Sequence, residues 1–278
     1  MEYKSLQDAA AEIARVVGAR LREVLNSPDT FEVNFKGARD LVTEFDVWAE
    51  DQIREFLLKR FPEHQIIGEE TSAELQGTVG ATLETIAADS LSWCIDPIDG
   101  TTNFVSSIPH VGISIGFLEK GVAKAGVVYD PCRDELFSAS FGGGASVNSH
   151  RIKPANNPEM INAVIATGFP YDKAKAWERC GDVFQAVLKE VRGVRRFGAA
   201  TLDGCWTACG RFDGFYEFGL SPWDVSAAAI IAQEAGCKVI NFDKASSETF
   251  SLFGNSFLFC SSALYPALFK VIQTAQWG

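Results

Sequence analysis

Four strand signals follow one another closely in the middle of the chain, and they limit its fold more than any other feature. They cover residues 91–95, 112–118, 122–129 and 135–139, and each is bounded by glycine, proline or aspartate. The links between them include the turns Glu119-Lys120-Gly121 and Asp130-Pro131, which leave no room for a crossover helix. The sequence therefore predicts an antiparallel meander over this region.

Helical patterns lie on both sides of this meander. Apolar residues spaced three and four apart predict amphipathic helices over residues 6–25 and 47–61, with an irregular segment at 34–40 between them. After residue 150, strand signals at 163–167, 194–197, 214–218 and 237–240 alternate with helical patterns at 176–191, 202–209 and 225–235, which is typical of α/β structure. We expect a mixed α/β (α+β) fold with an antiparallel-sheet part over residues 1–150 and an α/β part over 151–278.

The composition is typical of globular proteins, and the net charge excludes two classes of partner. Apolar residues make up 47% of the 278 residues and charged residues 22%, which excludes a disordered, collagen-like or coiled-coil chain. With 25 basic and 36 acidic residues the net charge is −11, so the chain lacks the basic surface that selects nucleic acid or an anionic membrane. We expect neither partner, and an anionic substrate would need a local cation.

The seven cysteines indicate a reducing compartment. They are scattered, odd in number and include no C-x-x-C pair. Cys205 and Cys209 are four apart and could share a helix face, but we interpret them as core residues rather than metal ligands. No run of about 18 apolar residues occurs, and the N-terminal stretch is charged and amphipathic rather than leader-like. These features predict a cytoplasmic protein.

One acidic string in the meander predicts a cation site. A buried strand runs into Asp96, Pro97 removes a backbone donor, and Asp99-Gly100 favours a turn, so the two aspartates should point to one side. With the Ile98 carbonyl they form an all-oxygen set that suits Mg²⁺ better than zinc. The N–H groups that follow, from Gly100 to Thr102, would begin a helical turn and favour phosphate.

Two further acidic clusters stand apart from the background, and all three have an ordinary structural interpretation. The clusters are Glu69-Glu70 and Asp224. Asp99-Gly100 alone predicts a tight turn, adjacent glutamates are typical of solvated surface, and an aspartate before an alanine-rich stretch suits a helix N-cap. Brought into one cleft, these carboxylates would repel one another, and divalent ions would relieve that repulsion.

Together these segments resemble the inositol monophosphatase family of metal-dependent, lithium-sensitive phosphatases. The matching segments are Gly68-Glu69-Glu70, the string at 96–104, residues 223–228, and the segment at 40–46, Asp-Leu-Val-Thr-Glu-Phe-Asp, in order along nearly the whole chain. The resemblance implies a layered αβαβα sandwich of the sugar-phosphatase type. It also implies a homodimer and a requirement for two or three Mg²⁺ ions.

The resemblance also implies roles for individual residues. Asp46 and Thr101 would orient and deprotonate the attacking water, assisted by Glu70. The metal ligands would be Glu69, Asp96 and the Ile98 carbonyl for one ion, and Asp96, Asp99 and Asp224 for a second, with Glu69 near a third, weaker ion. The substrate contacts would be Glu69, Ile98, Asp99, Gly100, Thr101, Gly198, Ala199, Ala200, Glu217 and Asp224. Among them, the N–H groups of Gly100 and Thr101 would face the phosphate.

These roles predict a phosphomonoesterase that hydrolyses myo-inositol monophosphate, an inositol-1(or 4)-monophosphatase. The motifs describe the phosphate end of the substrate better than the alcohol end. Esters of related enzymes therefore stay open: fructose 1,6-bisphosphate, histidinol phosphate and adenosine bisphosphate. Two other classes also stay open, a carboxylate-pair glycosidase that would work without metal and a regulatory or scaffolding protein with the same fold.

Several other positions carry weaker signals. The loop of Lys36 resembles a metal-proximal loop of the family but is one residue shorter, and the segment at 167–170 resembles bacterial-type members. Arg195 and Arg196 could contact a second phosphate, although we interpret them as solvated surface residues. We interpret the remaining candidates as structural or exposed: His64, His110 and His150, and Gly142-Gly143-Gly144 as a hairpin turn rather than a phosphate loop.

Overall fold

Fourteen strands and eight helices make up the part of the chain that the structure, a computed structural model, describes: residues 3–26, 33–35, 41–72, 82–170, 173–242 and 250–277. The helices are α1 (Tyr3–Asn26), α2 (Glu44–Arg60), α3 (Leu83–Ala88), α4 (Thr101–Val105), α5 (Lys173–Glu190), α6 (Ala200–Ala208), α7 (Pro222–Ala235) and α8 (Tyr265–Trp277). The strands are β1 (Val33–Phe35), β2 (Leu41–Thr43), β3 (Gln65–Gly68), β4 (Leu91–Asp99), β5 (Gly112–Glu119), β6 (Val122–Asp130), β7 (Glu135–Ser140), β8 (Gly144–Val147), β9 (His150–Arg151), β10 (Val164–Thr167), β11 (Gly193–Arg195), β12 (Gly214–Phe218), β13 (Lys238–Ile240) and β14 (Ser256–Cys260).

A seven-stranded sheet holds the predicted meander. Its order is β3-β4-β5-β6-β7-β8-β9, and every neighbouring pair is antiparallel except β3 and β4, which run parallel. The meander is confirmed, and so is the hairpin turn at 142–144, where Gly143 N–H donates to the Ser140 carbonyl at 2.7 Å between β7 and β8. The irregular segment expected at 34–40 is wrong at its start, because Asn34 and Phe35 lie in β1, paired with β2.

A five-stranded sheet follows in the order β11-β10-β12-β14-β13. Strand β10 runs parallel to β11 and β12, and β14 runs antiparallel to both of its neighbours. The alternation of strand and helix signals after residue 150 predicts four of these strands. It does not predict β14, and it does not predict helix α8. All five residues of β14 are buried, so the strand has no alternation of apolar and polar positions by which a pattern would identify it.

Three apolar clusters pack the elements into five layers. The first joins α1 and α2 to the outer face of the large sheet, around Leu21, Ile53 and Trp93. The second fills the space between the two sheets with α6 and α7, and the third joins α5 and α8 to the outer face of the small sheet. The predicted α/β (α+β) class and the αβαβα sandwich are therefore confirmed.

Helix α7 connects the two parts of the chain, because it packs on the large sheet although it belongs to residues 151–278. It lies directly over Gly126, where an added Cβ would come within 2.8 Å of the Ala227 backbone, and over Gly116, where it would overlap Ser226. The strands of the large sheet all precede residue 152 and those of the small sheet follow residue 163. The division at residue 150 stays a prediction.

Two further observations concern the predicted location. All seven cysteines are described and none forms a disulfide. In the described residues, no helix combines the length and the apolar character needed to cross a bilayer. The loop of Lys36 and the start of the 40–46 segment, at Asp40, lie outside the described residues.

Candidate active site

A β-bulge at the end of β4 turns two aspartates to the same side. Asp96 pairs with Ser114 of β5 and Asp99 pairs with Gly112, so three steps on β4 match two steps on β5. In a regular strand, residues three apart face opposite sides. The extra residue of the bulge turns Asp96 and Asp99 to the same side. Pro97 is tolerated there, although it has no N–H to donate, because a bulge interrupts the hydrogen bonds between the strands. Both carboxylates line one cleft, as the sequence predicts.

Helix α6 fixes the Asp99 carboxylate from the other part of the chain. Thr201 donates its backbone N–H to Asp99 Oδ2 at 2.7 Å and its hydroxyl to the same oxygen at 2.5 Å. Gly112, opposite Asp99, makes room for this contact, since a Cβ there would lie 2.8 Å from Thr201 Oγ1. The sequence analysis misses Thr201, because no local pattern distinguishes it from other residues of an apolar helix.

Asp224 reaches the same cleft from the first turn of α7. Its interpretation as the N-cap is wrong, because the helix begins at Pro222 and Ser221 is the N-cap. Asp224 instead closes a capping box, in which its Oδ2 accepts the Ser221 N–H at 2.7 Å. This contact leaves Oδ1 of Asp224 for other partners, and the residue lines the cleft.

The predicted pair of Asp46 and Thr101 is formed. Thr101 Oγ1 lies 3.3 Å from Asp46 Oδ1 and 3.2 Å from the Ile98 carbonyl, so its hydroxyl has two acceptors. Asp46 is buried, and its Oδ2 accepts the N–H of Thr43 at 2.7 Å and the hydroxyl of Thr43 at 2.6 Å in the capping box of α2. Asp46 therefore lies behind Thr101, which itself lines the cleft.

The turn after β3 brings Glu69 beside Asp96. Because β3 and β4 run parallel, with Gly68 opposite Ile95, the Glu69 N–H donates to the Ile95 carbonyl at 3.1 Å. The Glu69 and Asp96 carboxyl groups share a hydrogen bond. Glu50 of α2 holds this turn from below and is a further residue that the sequence analysis misses, although a glutamate on the apolar stripe of a helix is a usable signal.

One cleft collects most of the predicted site residues. It contains about 580 Å³ of empty space, counting the part open to solvent, between the large sheet and the α6 and α7 side of the small one. The predicted residues that line it are Glu69, Asp96, Ile98, Asp99, Gly100, Thr101, Gly198, Ala200, Glu217 and Asp224. Three predicted residues, Asp46, Glu70 and Ala199, do not line it.

The cleft also has lining residues that were not assigned to it from the sequence. Phe169, Leu220 and Arg196 line it together with Glu217. Arg196 is exposed, as its interpretation as a surface residue predicts, and it also lines the cleft, with its guanidinium beside Gly198. Arg195 is exposed, does not line the cleft and donates to the neighbouring Val194 carbonyl at 3.0 Å.

Burial and neighbouring carboxylates raise the pKa values of four carboxyl groups in the cleft. Burial, and then the neighbouring Glu69, Asp99 and Asp224, raise the pKa of Asp96 well above its ordinary value. Burial followed by Asp99 and Glu69 does the same to the pKa of Asp224. Burial raises the pKa of Asp99 to about 6 and that of Glu217 to about 8, opposed by Thr201 at the first and Arg196 at the second. Positive charge in the cleft would therefore stabilise the ionised forms of these carboxyl groups.

The donor set fits a hard divalent cation. It consists of carboxylate oxygens and the Ile98 carbonyl, the ligands that Mg²⁺ takes in proteins, and the mutual rise of the carboxylate pKa values is what a shared cation would reverse. No three acidic, histidine or cysteine side chains of the described residues already surround one point as a closed metal cage. The cleft is therefore an acidic pocket whose donor types suit such a cation, without a preformed cage among the described residues.

The histidines and the remaining cysteine pair lie elsewhere. His64 is buried and stacks on Phe61, His150 is exposed, and burial lowers the pKa of His110 to about 4. Cys205 is buried and burial raises its thiol pKa well above the ordinary value. None of these side chains lines the acidic cleft.

The chain was compared with known proteins. A family model described as the inositol monophosphatase family matches residues 2–276. Nus factor SuhB of Escherichia coli (strain K12) is 39% identical over 234 residues, which cover 84% of each chain. The suhB extragenic suppressor protein of Bartonella henselae superposes with a TM-score of 0.83 at 30% identity, covering 97% of this chain and 98% of that one. The inositol monophosphatase of Anabaena (Nostoc) sp. PCC 7120 gives a TM-score of 0.81 at 32% identity, covering 98% and 96%. These matches span the whole fold and the acidic cleft, and the chain belongs to the inositol monophosphatase family.

Proposed function

We propose that this protein is a Mg²⁺-dependent phosphomonoesterase that hydrolyses myo-inositol monophosphate to inositol and phosphate. The observation that carries the proposal is the meeting of three acidic segments, distant in the sequence, in one cleft: Glu69, the Asp96 and Asp99 pair, and Asp224. Membership of the inositol monophosphatase family supports the phosphate ester as substrate class. The family description supports inositol as the alcohol.

The proposed ligand sets follow the positions of the carboxylates. Glu69, Asp96 and the Ile98 carbonyl would hold one Mg²⁺, and Asp96, Asp99 and Asp224 a second, with Asp96 shared. A third, weaker ion would lie near Glu69. When bound, these ions would neutralise the carboxylates, polarise the phosphoryl group and lower the pKa of water beside it.

The chain's own residues would handle the proton of the attacking water. The Thr101 hydroxyl is within hydrogen-bonding distance of Asp46 Oδ1 at 3.3 Å, so its oxygen would accept a proton from water while its own proton passes to Asp46. The oxygen of that water then bonds to phosphorus as the bond to the alcohol oxygen breaks. Glu70, next to Glu69, would assist near the water. The leaving alcohol oxygen would take up a proton from solvent, and Asp46 would release the proton it received to solvent.

The two ends of the substrate would meet different parts of the cleft. The N–H groups of Gly100 and Thr101 would face the phosphate, where the backbone turns into α4. Inositol hydroxyls would contact the Gly198–Ala200 segment and two acidic residues, Glu217 and Asp224. Gly168 makes room for the Glu217 carboxyl group, since a Cβ at this position would overlap it.

Phosphate release from a panel of esters tests the proposal. The panel contains inositol 1-phosphate, histidinol phosphate, fructose 1,6-bisphosphate and adenosine bisphosphate, each with Mg²⁺ and with EDTA. We expect the largest kcat/KM for inositol 1-phosphate and no release in EDTA. A larger kcat/KM for another ester would identify that ester as the substrate. Cleavage of a nitrophenyl glycoside in EDTA, without phosphate release from the panel, would favour the glycosidase class instead.

A second candidate substrate is an ester that carries another anionic group. Arg196 supports it, because this cation lines the alcohol end of an otherwise acidic cleft and lowers the pKa of Glu217. A bisphosphate such as fructose 1,6-bisphosphate would place its second phosphate against the guanidinium. The same panel separates the two candidates.

We also propose a cytoplasmic, lithium-sensitive homodimer, as the family resemblance implies. The unpaired state of all seven cysteines supports the location. A regulatory or scaffolding role is the remaining alternative, and the name Nus factor carried by the Escherichia coli relative supports it. Such a role without catalysis predicts no phosphate release from any ester of the panel.

A further inference from the structure

Glu50 is a buried carboxylate for which the proposed reaction has no use. It lies on the apolar stripe of α2 and is 1% exposed. The buried residues of that stripe are Asp46, Ala49, Glu50, Ile53 and Leu57. A carboxylate in such a position is expensive unless donors compensate its loss of water, so its contacts indicate what it does.

Both oxygens of Glu50 bind the backbone of the turn that carries Glu69. Oε2 accepts the N–H of Glu70 at 2.8 Å, and Oε1 accepts the N–H of Thr71 at 3.1 Å. The residue before Glu69 is Gly68, and a Cβ there would overlap the Glu50 carboxyl group. The Glu50 side chain thus contacts this turn through two backbone hydrogen bonds and through its close packing against Gly68.

The charge of Glu50 has no partner of opposite sign. No lysine, arginine or histidine of the described residues pairs with it. The N–H groups of Glu70 and Thr71, together with the Thr71 hydroxyl, compensate its burial. The negative charge of Glu69 opposes ionisation of Glu50. A contact of this kind adds little to stability, since buried charges without counter-charges are costly. The effect of this contact is to fix the position of the turn.

We infer that Glu50 is a positioning residue of the proposed metal site. By fixing the N–H groups of Glu70 and Thr71, it holds the turn in the orientation in which the Glu69 carboxyl meets that of Asp96. The inference rests on the proposed function, because Glu69 and Asp96 are proposed ligands of the same ion. Residues behind a ligand typically change metal affinity or activity by about 10–100-fold when they are replaced.

The test compares Glu50→Gln with a matched control. Glutamine has the same size, but its NH₂ group faces a backbone donor, so one of the two hydrogen bonds is lost. Glu234 is the control, since its two carboxylate oxygens likewise accept the N–H groups of Gly142 and Gly144, at 2.9 and 2.7 Å, in a hairpin that does not line the cleft. Both variants are made in the full chain and checked by circular dichroism.

Two readouts separate positioning from loss of structure. Isothermal titration with Mn²⁺ measures metal binding directly, and phosphate release against Mg²⁺ concentration measures the half-saturating concentration and kcat. For E50Q we expect Mn²⁺ binding about 10–100-fold weaker and a matching rise in half-saturating Mg²⁺, with kcat at saturating Mg²⁺ within about threefold of wild type. For E234Q we expect all three values to match wild type.

Four outcomes decide the inference. Mn²⁺ affinity of E50Q within twofold of wild type overturns it, as does an equal loss in E234Q. If E50Q does not fold, Glu50→Asp, which keeps the charge but reaches only one N–H, must show intermediate weakening, and wild-type affinity in that variant also overturns it. A wild-type protein that neither binds Mn²⁺ nor releases phosphate refutes the proposed function, and this inference falls with it.

Discussion

Thr201 donates both its backbone N–H and its hydroxyl to a single oxygen of Asp99, at 2.7 and 2.5 Å, across 102 residues of sequence. The contact joins α6, in the second part of the chain, to the bulge of β4 in the first. Asp99 also accepts a backbone hydrogen bond from Ala200, and it lines the cleft. The orientation of a proposed metal ligand is therefore set by a residue from the opposite side of the cleft.

Replacing the Thr201 hydroxyl should weaken the cleft's hold on metal. Thr201→Val keeps the shape and the N–H bond but loses the hydroxyl bond, so Asp99 gains rotational freedom and a higher pKa. We expect half-saturating Mg²⁺ to rise about tenfold, measured by phosphate release from inositol 1-phosphate. Thr201→Ser keeps the hydroxyl and serves as the control. Equal behaviour of the two variants would contradict the role of this hydrogen bond.

Asp99→Asn should abolish turnover and leave the fold intact. The amide oxygen still accepts from Thr201, whereas the negative charge that the second ion needs is gone. We expect kcat to fall more than about 100-fold and the thermal midpoint in EDTA to rise, because one like charge leaves the acidic cleft. Steady-state kinetics and differential scanning calorimetry measure these changes. A near-normal rate at saturating Mg²⁺ would refute the metal assignment.

Without divalent ions, stability should fall as pH rises from about 5 to 8. The pKa values of Asp99 and Glu217 in the folded protein, about 6 and about 8, lie above their ordinary values of 3.8 and 4.5, chiefly because of burial. In that window the folded state binds more protons than the unfolded state, so each added pH unit removes stability, by up to about 1.4 kcal/mol for one such group. Thermal midpoints in EDTA at pH 5, 6, 7 and 8 check this slope.

Two variations sharpen the pH test. Glu217→Gln should make the slope shallower across the whole window, and above about pH 6, the pKa of Asp99, this pair should contribute little further slope in the variant. Adding Mg²⁺ should raise the midpoint most at pH 8, where the carboxylates are ionised and compete least with protons. A midpoint in EDTA that rises from pH 5 to 8 would show that these pKa values are not raised.

Arg196→Ala should separate the two candidate substrates. If the guanidinium binds a second phosphate, kcat/KM for fructose 1,6-bisphosphate should fall about 10–100-fold, as expected for a lost hydrogen bond to a charged group, while that for inositol 1-phosphate changes less than about threefold. Arg195→Ala is the matched control, since Arg195 does not line the cleft. An equal loss on both esters would assign Arg196 to the cleft's structure instead.

The segments of the site could be predicted because each carries a local signature. The 96–104 string predicts the turn, the cation and the phosphate from neighbouring residues alone, and the bulge between Asp96 and Asp99 confirms that both face one side. The closely spaced strands predict the meander for the same reason. Local chemistry and period-two spacing are properties that a single stretch of sequence contains.

The supporting residues could not be predicted in this way, because their roles depend on distant segments. Thr201 is defined by Asp99, and Glu50 by a turn 20 residues away. Arg196 lies beside a second arginine of the same type, and only the fold decides which of them enters the cleft. Strand β14 could not be predicted because complete burial removes the alternation of apolar and polar residues on which strand prediction relies.

Gly116 and Gly126, beneath α7, connect the packing of that helix to the position of a carboxylate in the acidic cleft. Asp224 lies on the first turn of α7, so its height above Asp96 depends on how closely the helix approaches Gly116 and Gly126. A single methyl group at either glycine would lift the helix and withdraw a carboxylate from the cleft, far from any substrate. Side chains added to the floor of the large sheet at these glycines are therefore expected to change the acidic cleft, although they would not contact it directly.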